Sequence, residues 1–235
     1  MIIQRLVVSP FQANCYIVGD GRTREAIVID PGDEADRILD ALRLQGLTAR
    51  LIIATHGHLD HVMALGPIKA ATGAPILMHR GDQPLLDNLP MMALSFLGQR
   101  LPPAPPVDQW LEEGQMVGLE SLKFKVLFTP GHSWGSVSLY WAPPDPPPGK
   151  AVNFIDLNVR RWQGGGIVFS GDALFQGSIG RTDLGGDFPT LAAAIRSQLF
   201  TLPDDTLVLS GHGEPTTIGF EKRTNPFVGE AADVE

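Results

Sequence analysis

The chain has 235 residues, of which 43% are hydrophobic and 19% charged, and its formal net charge is −8 with a pI near 5.2. This composition supplies a sizeable core, excludes a disordered chain, and disfavours a surface for nucleic acid or anionic lipid. Cys15 is the only cysteine and no apolar stretch reaches the ~18 residues of a membrane span, so we expect a soluble cytoplasmic protein without nucleic-acid or membrane partners.

Short apolar runs alternate with helical patterns along the first half of the chain. The helical segments show apolar residues at helical spacing, and the strands are short and rich in Val, Ile and Leu. Strands are predicted at 4–8, 14–19, 25–30, 50–55 and 74–80, and helices at 33–46 and 61–73. This alternation indicates a sheet covered by helices.

The second half of the chain consists mainly of predicted strands that follow a proline-rich loop at 101–110. The strands are expected at 115–120, 122–130, 136–142, 166–172 and 206–213, and one helix at 189–202. Residues 143–166 open on prolines and end on glycines, which indicates an insertion that could hold a short hairpin and is dispensable for folding. We therefore expect a single domain over residues 1–235 that carries this insertion.

Four of the predicted strands run directly into a histidine or an aspartate. Because strand ends that meet at one edge of a sheet form sites in α/β proteins, these side chains are expected to lie together. Imidazoles and carboxylates at this density predict a metal site, and seven ligands suit two ions better than one. The candidate ligands are His56, His58, Asp60, His61, His132, Asp172 and His212.

The remaining residues of these types have weaker signals. His79 is the one histidine outside the ligand set, and a packing role is expected for it. A structural zinc site would use several thiolates, whereas Cys15 stands alone in an apolar strand and is expected to fill the core. Asp30 also follows a strand, and it could either orient a ligand histidine or cap the following turn.

The segment THGHLDH at 55–61 resembles the THxHxDH signature of the metallo-β-lactamase superfamily, and the later ligands follow in the family's order. Residues 171–187 and 211–227 further resemble the small glyoxalase II-like (hydroxyacylglutathione hydrolase-like) members. The resemblance implies an α/β fold, a four-layer αββα sandwich. It also implies that His56, His58 and His132 bind the first ion, that Asp60, His61 and His212 bind the second, and that Asp172 bridges them.

The resemblance implies a zinc hydrolase with two ions per chain, with iron or manganese as alternatives. The expected reaction is hydrolysis of a small anionic glutathione-type thioester, such as S-lactoylglutathione, by a metal-bridging hydroxide, with Asp60 and Asp172 as the catalytic carboxylates. Arg181 is expected to contact the substrate, and an ion pair with Asp183 is its alternative role. The chain ends soon after His212, unlike long glyoxalase II enzymes, which leaves the substrate less defined than the reaction.

Two other activities remain open at this point. A persulfide dioxygenase with a single Fe(II) would use His56, His132 and Asp172 as its ligands. Another hydrolase of the same fold, a lactamase or a phosphodiesterase, is the second alternative. The acidic composition disfavours the phosphodiesterase, and the lack of a spare general acid near the motifs disfavours cleavage of a lactam.

Overall fold

Two β-sheets form the frame of the protein. The computed structural model describes residues 1–143, 152–157, 159, 162 and 165–233. In chain order the strands are β1 (Ile2–Val8), β2 (Ala13–Gly19), β3 (Glu25–Ile29), β4 (Thr48–Ile53), β5 (Ile76–His79), β6 (Gln109–Leu111), β7 (Met116–Gly118), β8 (Lys123–Phe128), β9 (Val137–Trp141), β10 (Asn153–Ile155), β11 (Ile167–Gly171), β12 (Leu174–Phe175), β13 (Ser178–Ile179), β14 (Leu207–Ser210) and β15 (Thr216–Thr217).

The helices connect these strands and cover the outer faces of the sheets. In chain order they are α1 (Ala35–Gln45), α2 (Leu59–Val62), α3 (Leu65–Thr72), α4 (Gln83–Asp87), α5 (Leu89–Leu97), α6 (Phe188–Ala194) and α7 (Ile218–Thr224). A π-helical turn over Ile195–Leu199 extends α6, and short 3-10 turns lie at Arg80–Asp82 and Glu230–Asp233. Within the described residues, no helix has both the length and the apolar character needed to cross a membrane.

The strands form one seven-stranded sheet, one six-stranded sheet and a small hairpin. The order in the first sheet is β10-β1-β2-β3-β4-β5-β6, and in the second it is β15-β14-β11-β9-β8-β7, while β12 and β13 pair with each other. The first sheet is mixed, since β1, β2 and β3 are antiparallel neighbours and β3 to β6 are parallel.

Side chains alternate between the two faces of each sheet, and this alternation produces three cores. In β3, Ile27 and Ile29 pack between the sheets, whereas Val28 packs against the helices on the outer face. In β8, Val126 lies between the sheets and Leu127 packs outward with α6 and α7. The layers are therefore helix, sheet, sheet and helix, and the αββα fold predicted from the sequence is confirmed.

The carboxyl ends of the four ligand-bearing strands meet at one edge. β11 and β14 are parallel, and β8 runs in the same direction because β9 is antiparallel to both β8 and β11. The backbone links the two sheets there, because the Val137 N–H donates to the Thr55 carbonyl at 2.9 Å and the Asn14 N–H donates to the Gly211 carbonyl at 2.7 Å. At this edge, the carboxyl end of β4 in the first sheet therefore lies beside the second sheet.

Two predicted helices differ from the observed ones. The helix predicted at 61–73 is divided into α2 and α3, because the Ala64 N–H donates to the Pro31 carbonyl at 3.0 Å instead of continuing the first helix. The helix predicted at 189–202 begins as α6 and ends as the π-helical turn. Helices α4, α5 and α7, strands β6 and β15 and the β12–β13 hairpin had no predicted counterpart, and β6 begins within the segment 101–110 that was predicted as a loop.

The predicted insertion at 143–166 contains a strand of the first sheet. β10 pairs in parallel with β1, with Asn153 opposite Ile2 and Ile155 opposite Gln4, so the described part of the segment is not a separate hairpin. Phe154 and Trp162 pack against the core between the sheets, with ring centroids 5.8 Å apart. The expectation that the whole segment is dispensable therefore does not fit these residues, and residues 144–151 lie outside the described part.

Candidate metal centre

The segment after β4 positions four of the predicted ligands. The chain is still extended at His58, with φ −68° and ψ 148°, and α2 begins at the next residue. His56 and His58 therefore precede the helix, while Asp60 and His61 lie on its first turn. His132, Asp172 and His212 follow β8, β11 and β14 at the same edge.

His56, His58 and His132 form the first set of candidate ligands, called the first ligand set below, and all three are buried. Nδ1 of His58 lies 2.8 Å from Nε2 of His132, and the latter lies 3.2 Å from Nε2 of His56. Two nitrogens bound to one zinc ion at 2.0–2.1 Å with tetrahedral angles would be about 3.3 Å apart. The spacing of these nitrogens therefore fits one shared cation.

Asp60, His61 and His212 form the second ligand set. Nε2 of His212 lies 3.2 Å from Oδ2 of Asp60 and 3.3 Å from Nε2 of His61. Oδ2 of Asp60 lies 3.6 Å from Nε2 of His61. These three atoms are again spaced as the ligands of one ion would be.

Asp172 lies between the two ligand sets. Its Oδ2 is 3.5 Å from Nε2 of His132 and 3.5 Å from Nε2 of His212, and its Oδ1 is 3.4 Å from Nε2 of His61. The Oδ1 atom is buried and has no hydrogen-bond partner in the part of the chain that the structure describes. A buried carboxylate oxygen without a partner is costly, and a cation between the sets would satisfy it. The residues present therefore fit two metal ions.

The outer nitrogens of two candidate ligand histidines are held by hydrogen-bonding groups. Nδ1 of His132 lies 2.6 Å from the Arg181 carbonyl, and Nδ1 of His61 lies 3.2 Å from Oδ2 of Asp30. Because a carbonyl only accepts, His132 carries its proton on Nδ1 and directs the Nε2 lone pair into the site. Of the two roles considered for Asp30, the structure favours the orientation of His61.

Burial and mutual repulsion keep His56 and His58 of the first set neutral. Burial lowers the pKa of His56 well below its usual value, and the neighbouring His61 and His132 lower it further. Burial also lowers the pKa of His58 to about 4, and His132 adds to this effect. Neutral imidazoles are the form that binds a metal ion, so His56 and His58 need no deprotonation step near pH 7.

The second set carries the opposite electrostatic bias. Burial alone would lower the pKa of His61, but the carboxylates of Asp172, Asp60 and Asp30 outweigh it and raise the pKa to about 10. Burial would raise the pKa of Asp60, but His61 and His212 lower it well below the usual carboxyl value. The three carboxylates therefore favour positive charge at this position, and a divalent cation would supply it.

Gly211 allows a close approach to the bridging carboxylate. A Cβ atom at this position would lie 2.1 Å from Oδ1 of Asp172 and 2.8 Å from Cε1 of His61. Any side chain would therefore displace a ligand, so the turn between β14 and His212 requires glycine.

Asp82 is a supporting residue that the sequence analysis missed. It is buried, and its carboxylate accepts hydrogen bonds from the Gly57 N–H at 2.8 Å, the Ser133 hydroxyl at 2.6 Å and the Gly135 N–H at 2.6 Å. It thus connects the loop between two ligands to the loop after His132. Asp82 follows β5 by only a few residues, so the strand-end pattern that identified the ligands would also have pointed to it.

A cavity of about 370 Å³ opens beside the two ligand sets. Five of the seven candidate ligands line it, together with Arg181 and a set of apolar side chains. The Arg181 guanidinium forms two hydrogen bonds of 2.6 Å with Asp183, so the ion pair considered as its alternative role is present. His79 lies outside the site and packs against Phe128, with ring centroids 4.6 Å apart, as expected.

Comparison with known sequences finds one family and many relatives. Residues 8–144 and 158–212 match the metallo-beta-lactamase superfamily. The hydroxyacylglutathione hydrolase GloC of Haemophilus influenzae is 36% identical over 231 residues, which are 97% of this chain and 98% of that protein. The probable metallo-hydrolase YqgX of Bacillus subtilis is 37% identical over 227 residues, 96% of each chain.

Three solved structures share the fold and at least 30% of the sequence. The B3 metallo-beta-lactamase BLEG-1 has a TM-score of 0.80 at 34% identity and covers 96% of this chain and 99% of its own. A di-iron-bound form of TTHA1623 has a TM-score of 0.75 at 39% identity, covering 95% and 98%. ETHE1 from Myxococcus xanthus has a TM-score of 0.73 at 31% identity, covering 97% and 84%.

Proposed function

The chain belongs to the metallo-beta-lactamase superfamily, and from this premise we propose that it is a binuclear metallohydrolase that cleaves a glutathione-type thioester. The observation that carries the proposal is the position of Asp172 within 3.5 Å of one histidine from each ligand set. A carboxylate in this position can serve two ions, whereas a site for a single ion would leave Asp60, His61 and His212 without a role in metal binding. The relative named hydroxyacylglutathione hydrolase supports the choice of substrate.

Metal ions in these two sets would supply an activated water near neutral pH, because a bound divalent ion lowers the pKa of water from 15.7 to about 7. The chain contributes the rigid placement of the ligands. The Arg181 carbonyl fixes the ring of His132, and Asp30 fixes that of His61. Asp172 would help to hold both ions, because it lies between the two sets and its Oδ1 has no hydrogen-bond partner among the described residues.

The cavity favours a leaving group that departs without protonation. Among the described residues that line it, those outside the ligand sets are apolar except for Ser178 and Arg181, so none is a general acid near pH 7. A thiolate with a pKa of about 8.5 leaves readily under these conditions, whereas an amide nitrogen requires a proton. The lining of the cavity therefore favours a thioester over the lactam that the similarity to BLEG-1 would suggest.

We propose zinc as the metal, since a hydrolase needs no redox chemistry and the ligand set of imidazoles and carboxylates suits Zn²⁺. Iron and manganese remain outcomes of the test, because one structural neighbour was solved in a di-iron form. Metal analysis of protein reconstituted with each ion separates these cases.

The test is metal content combined with hydrolysis of S-lactoylglutathione. The reconstituted protein is expected to hold two ions per chain, and Asp172→Ala is expected to lose both ions and nearly all activity. His79→Ala, outside the site, is the matched control and should retain both properties. Full activity in Asp172→Ala, or a stoichiometry of one ion in active protein, would overturn the binuclear proposal.

A second candidate is a persulfide dioxygenase with a single Fe(II), which the similarity to ETHE1 favours. Its three ligands would be His56, His132 and Asp172, and Nε2 of His132 lies within 3.5 Å of a ligand atom of each of the other two. Oxygen uptake with glutathione persulfide by the iron-loaded protein would support this candidate. Thioester hydrolysis without oxygen uptake would exclude it.

A further inference from the structure

The cavity beside the ligand sets has an apolar wall formed by separate parts of the chain. The turn between β1 and β2 contributes Phe11, α5 contributes Met92 and Phe96, and the hairpin region contributes Phe175, Ile179 and Leu184. The candidate ligands His58, Asp60, His132, Asp172 and His212 line the same cavity. The wall is therefore continuous with the proposed reaction site.

Several of these side chains are exposed to solvent. The exposed fraction is 39% for Phe11, 53% for Phe96 and 44% for Leu184. Large apolar groups clustered around a concave site are typical of a surface that an apolar ligand covers. A volume of about 370 Å³ lies within the range for small-molecule pockets.

The polar part of the cavity is small. Outside the ligand sets, the polar lining residues among those described are Ser178 and Arg181. The Arg181 guanidinium can bind one carboxylate of a substrate, and no second cation lines the described part of the cavity. The wall therefore offers one contact for a charged group and a larger area for an apolar one.

We infer that the substrate is a thioester whose acyl group is an apolar chain of several carbons, bound against Phe11, Met92 and Phe96. This inference rests on the proposed thioesterase activity, in which the charged thiol part lies towards Arg181. Hydrolysis breaks the C–S bond, forms a C–O bond from water, and releases a carboxylate, a proton and a thiol. No other reactant is required.

Binding of analogues that cannot be hydrolysed tests the inference without activity. The probes are S-methyl-, S-butyl- and S-hexylglutathione, titrated against the full metal-loaded chain by calorimetry. Burial of each added methylene is expected to lower the Kd by about fourfold. Phe96→Ala and Met92→Ala should flatten this dependence. Met91→Ala, on the same helix, exposed and outside the cavity, should leave it unchanged.

Hydrolysis of acetyl-, butanoyl- and hexanoylglutathione separates the inference from the proposed function. A rise in kcat/KM with chain length supports both. Hydrolysis with no dependence on chain length, together with equal Kd values for the three analogues, would overturn the inference and leave the thioesterase. Length-dependent binding without hydrolysis of any thioester would retain the apolar site and overturn the thioesterase.

A second copy of the chain is the competing occupant of the apolar wall. In that case the protein would have the mass of a dimer in solution, and Phe96→Ala would be a monomer. The length of the alkyl chain of the glutathione analogues would then not affect their Kd. That combination of results would also overturn the inference.

Discussion

Oδ2 of Asp82 accepts a hydrogen bond from the Ser133 hydroxyl at 2.6 Å, and this contact joins the end of β5 to the loop that carries His132. The same oxygen accepts the Gly57 N–H, which lies between His56 and His58. One carboxylate therefore sets the relative position of the two segments that supply the first ligand set. Its hydrogen bonds go to groups beside the candidate ligands and not to the ligand side chains, so its role is positioning.

Asp82→Asn is expected to reduce both stability and metal affinity. The carboxylate accepts three hydrogen bonds, and an amide would place its own NH₂ group against one of the donors. One buried donor without a partner costs about 1–3 kcal/mol, and a misplaced ligand shell costs about 10- to 100-fold in metal affinity. Denaturant unfolding and metal titration measure the two effects. Asp40→Asn, in an exposed ion pair with Arg43, is the control, and unchanged metal affinity in Asp82→Asn would contradict the positioning role.

Gly211→Ala is expected to remove metal binding while the chain still folds. The added Cβ would lie 2.1 Å from Oδ1 of Asp172, so the carboxylate must move away from the ligand histidines. Metal content should fall well below that of the unaltered protein. Gly66→Ala on α3 is the control, because the nearest atom to its Cβ is 3.8 Å away and alanine favours a helix. Normal metal content in Gly211→Ala would show that the site tolerates this displacement.

Arg181→Ala is expected to raise KM for a glutathione thioester about tenfold and to leave kcat nearly unchanged. The side chain is 60% exposed and would bind a remote carboxylate equally in the ground and transition states. The carbonyl that holds His132 belongs to the backbone and is retained in this variant. Asp183→Asn should lower KM, because it releases the guanidinium from its ion pair. Equal effects of Arg181→Ala on a small uncharged thioester would assign the arginine a structural role.

The buried phenol of Tyr16 is expected to make the protein less stable at alkaline pH. Burial raises the pKa of its phenol well above 10, and its hydroxyl donates to the Ser210 carbonyl at 2.7 Å. Above pH 10 the unfolded chain therefore releases a proton that the folded chain retains, and stability falls by about 1.4 kcal/mol per pH unit from this group. The free energy of unfolding can be measured with denaturant between pH 9 and about 11. Its decrease with pH should correspond to one proton fewer in Tyr16→Phe than in the unaltered protein. Identical slopes would contradict the raised pKa.

Phe154→Ala is expected to destabilise the protein by about 1–3 kcal/mol without any effect on metal affinity. Its ring packs against the core between the sheets and lies 5.8 Å from that of Trp162. Thermal or denaturant unfolding measures the loss, and metal titration is the internal control. Unchanged stability would restore the prediction that this segment is dispensable.

The sequence predicted the ligand cluster because each ligand directly follows a strand. The strands themselves are apolar and regular, so their ends and the common edge follow from hydrophobic patterning and parallel pairing. The predicted carboxyl ends of β4, β8, β11 and β14 lie within three residues of the observed ones.

The cavity wall could not be predicted in this way. Phe11, Met92, Phe96 and Leu184 come from distant parts of the chain and share no local pattern. The helix α5 that carries two of them begins directly after α4, and its apolar residues lie on more than one face, so periodicity gives no clear signal. Which ring nitrogen of a histidine faces the site also depends on the tertiary structure. His58 faces the site through Nδ1, and this depends on the position of His132.

Each ligand set combines residues from both halves of the chain. The second set joins Asp60 and His61 to His212, and 151 positions separate the two histidines. During synthesis, the early ligands leave the ribosome long before the strand that delivers the last one. That set is therefore incomplete until β14 has docked, and an ion that depends on all three ligands can be retained only by a chain whose final strand is in place. Occupancy of that position would thus report on completed folding as well as on metal supply.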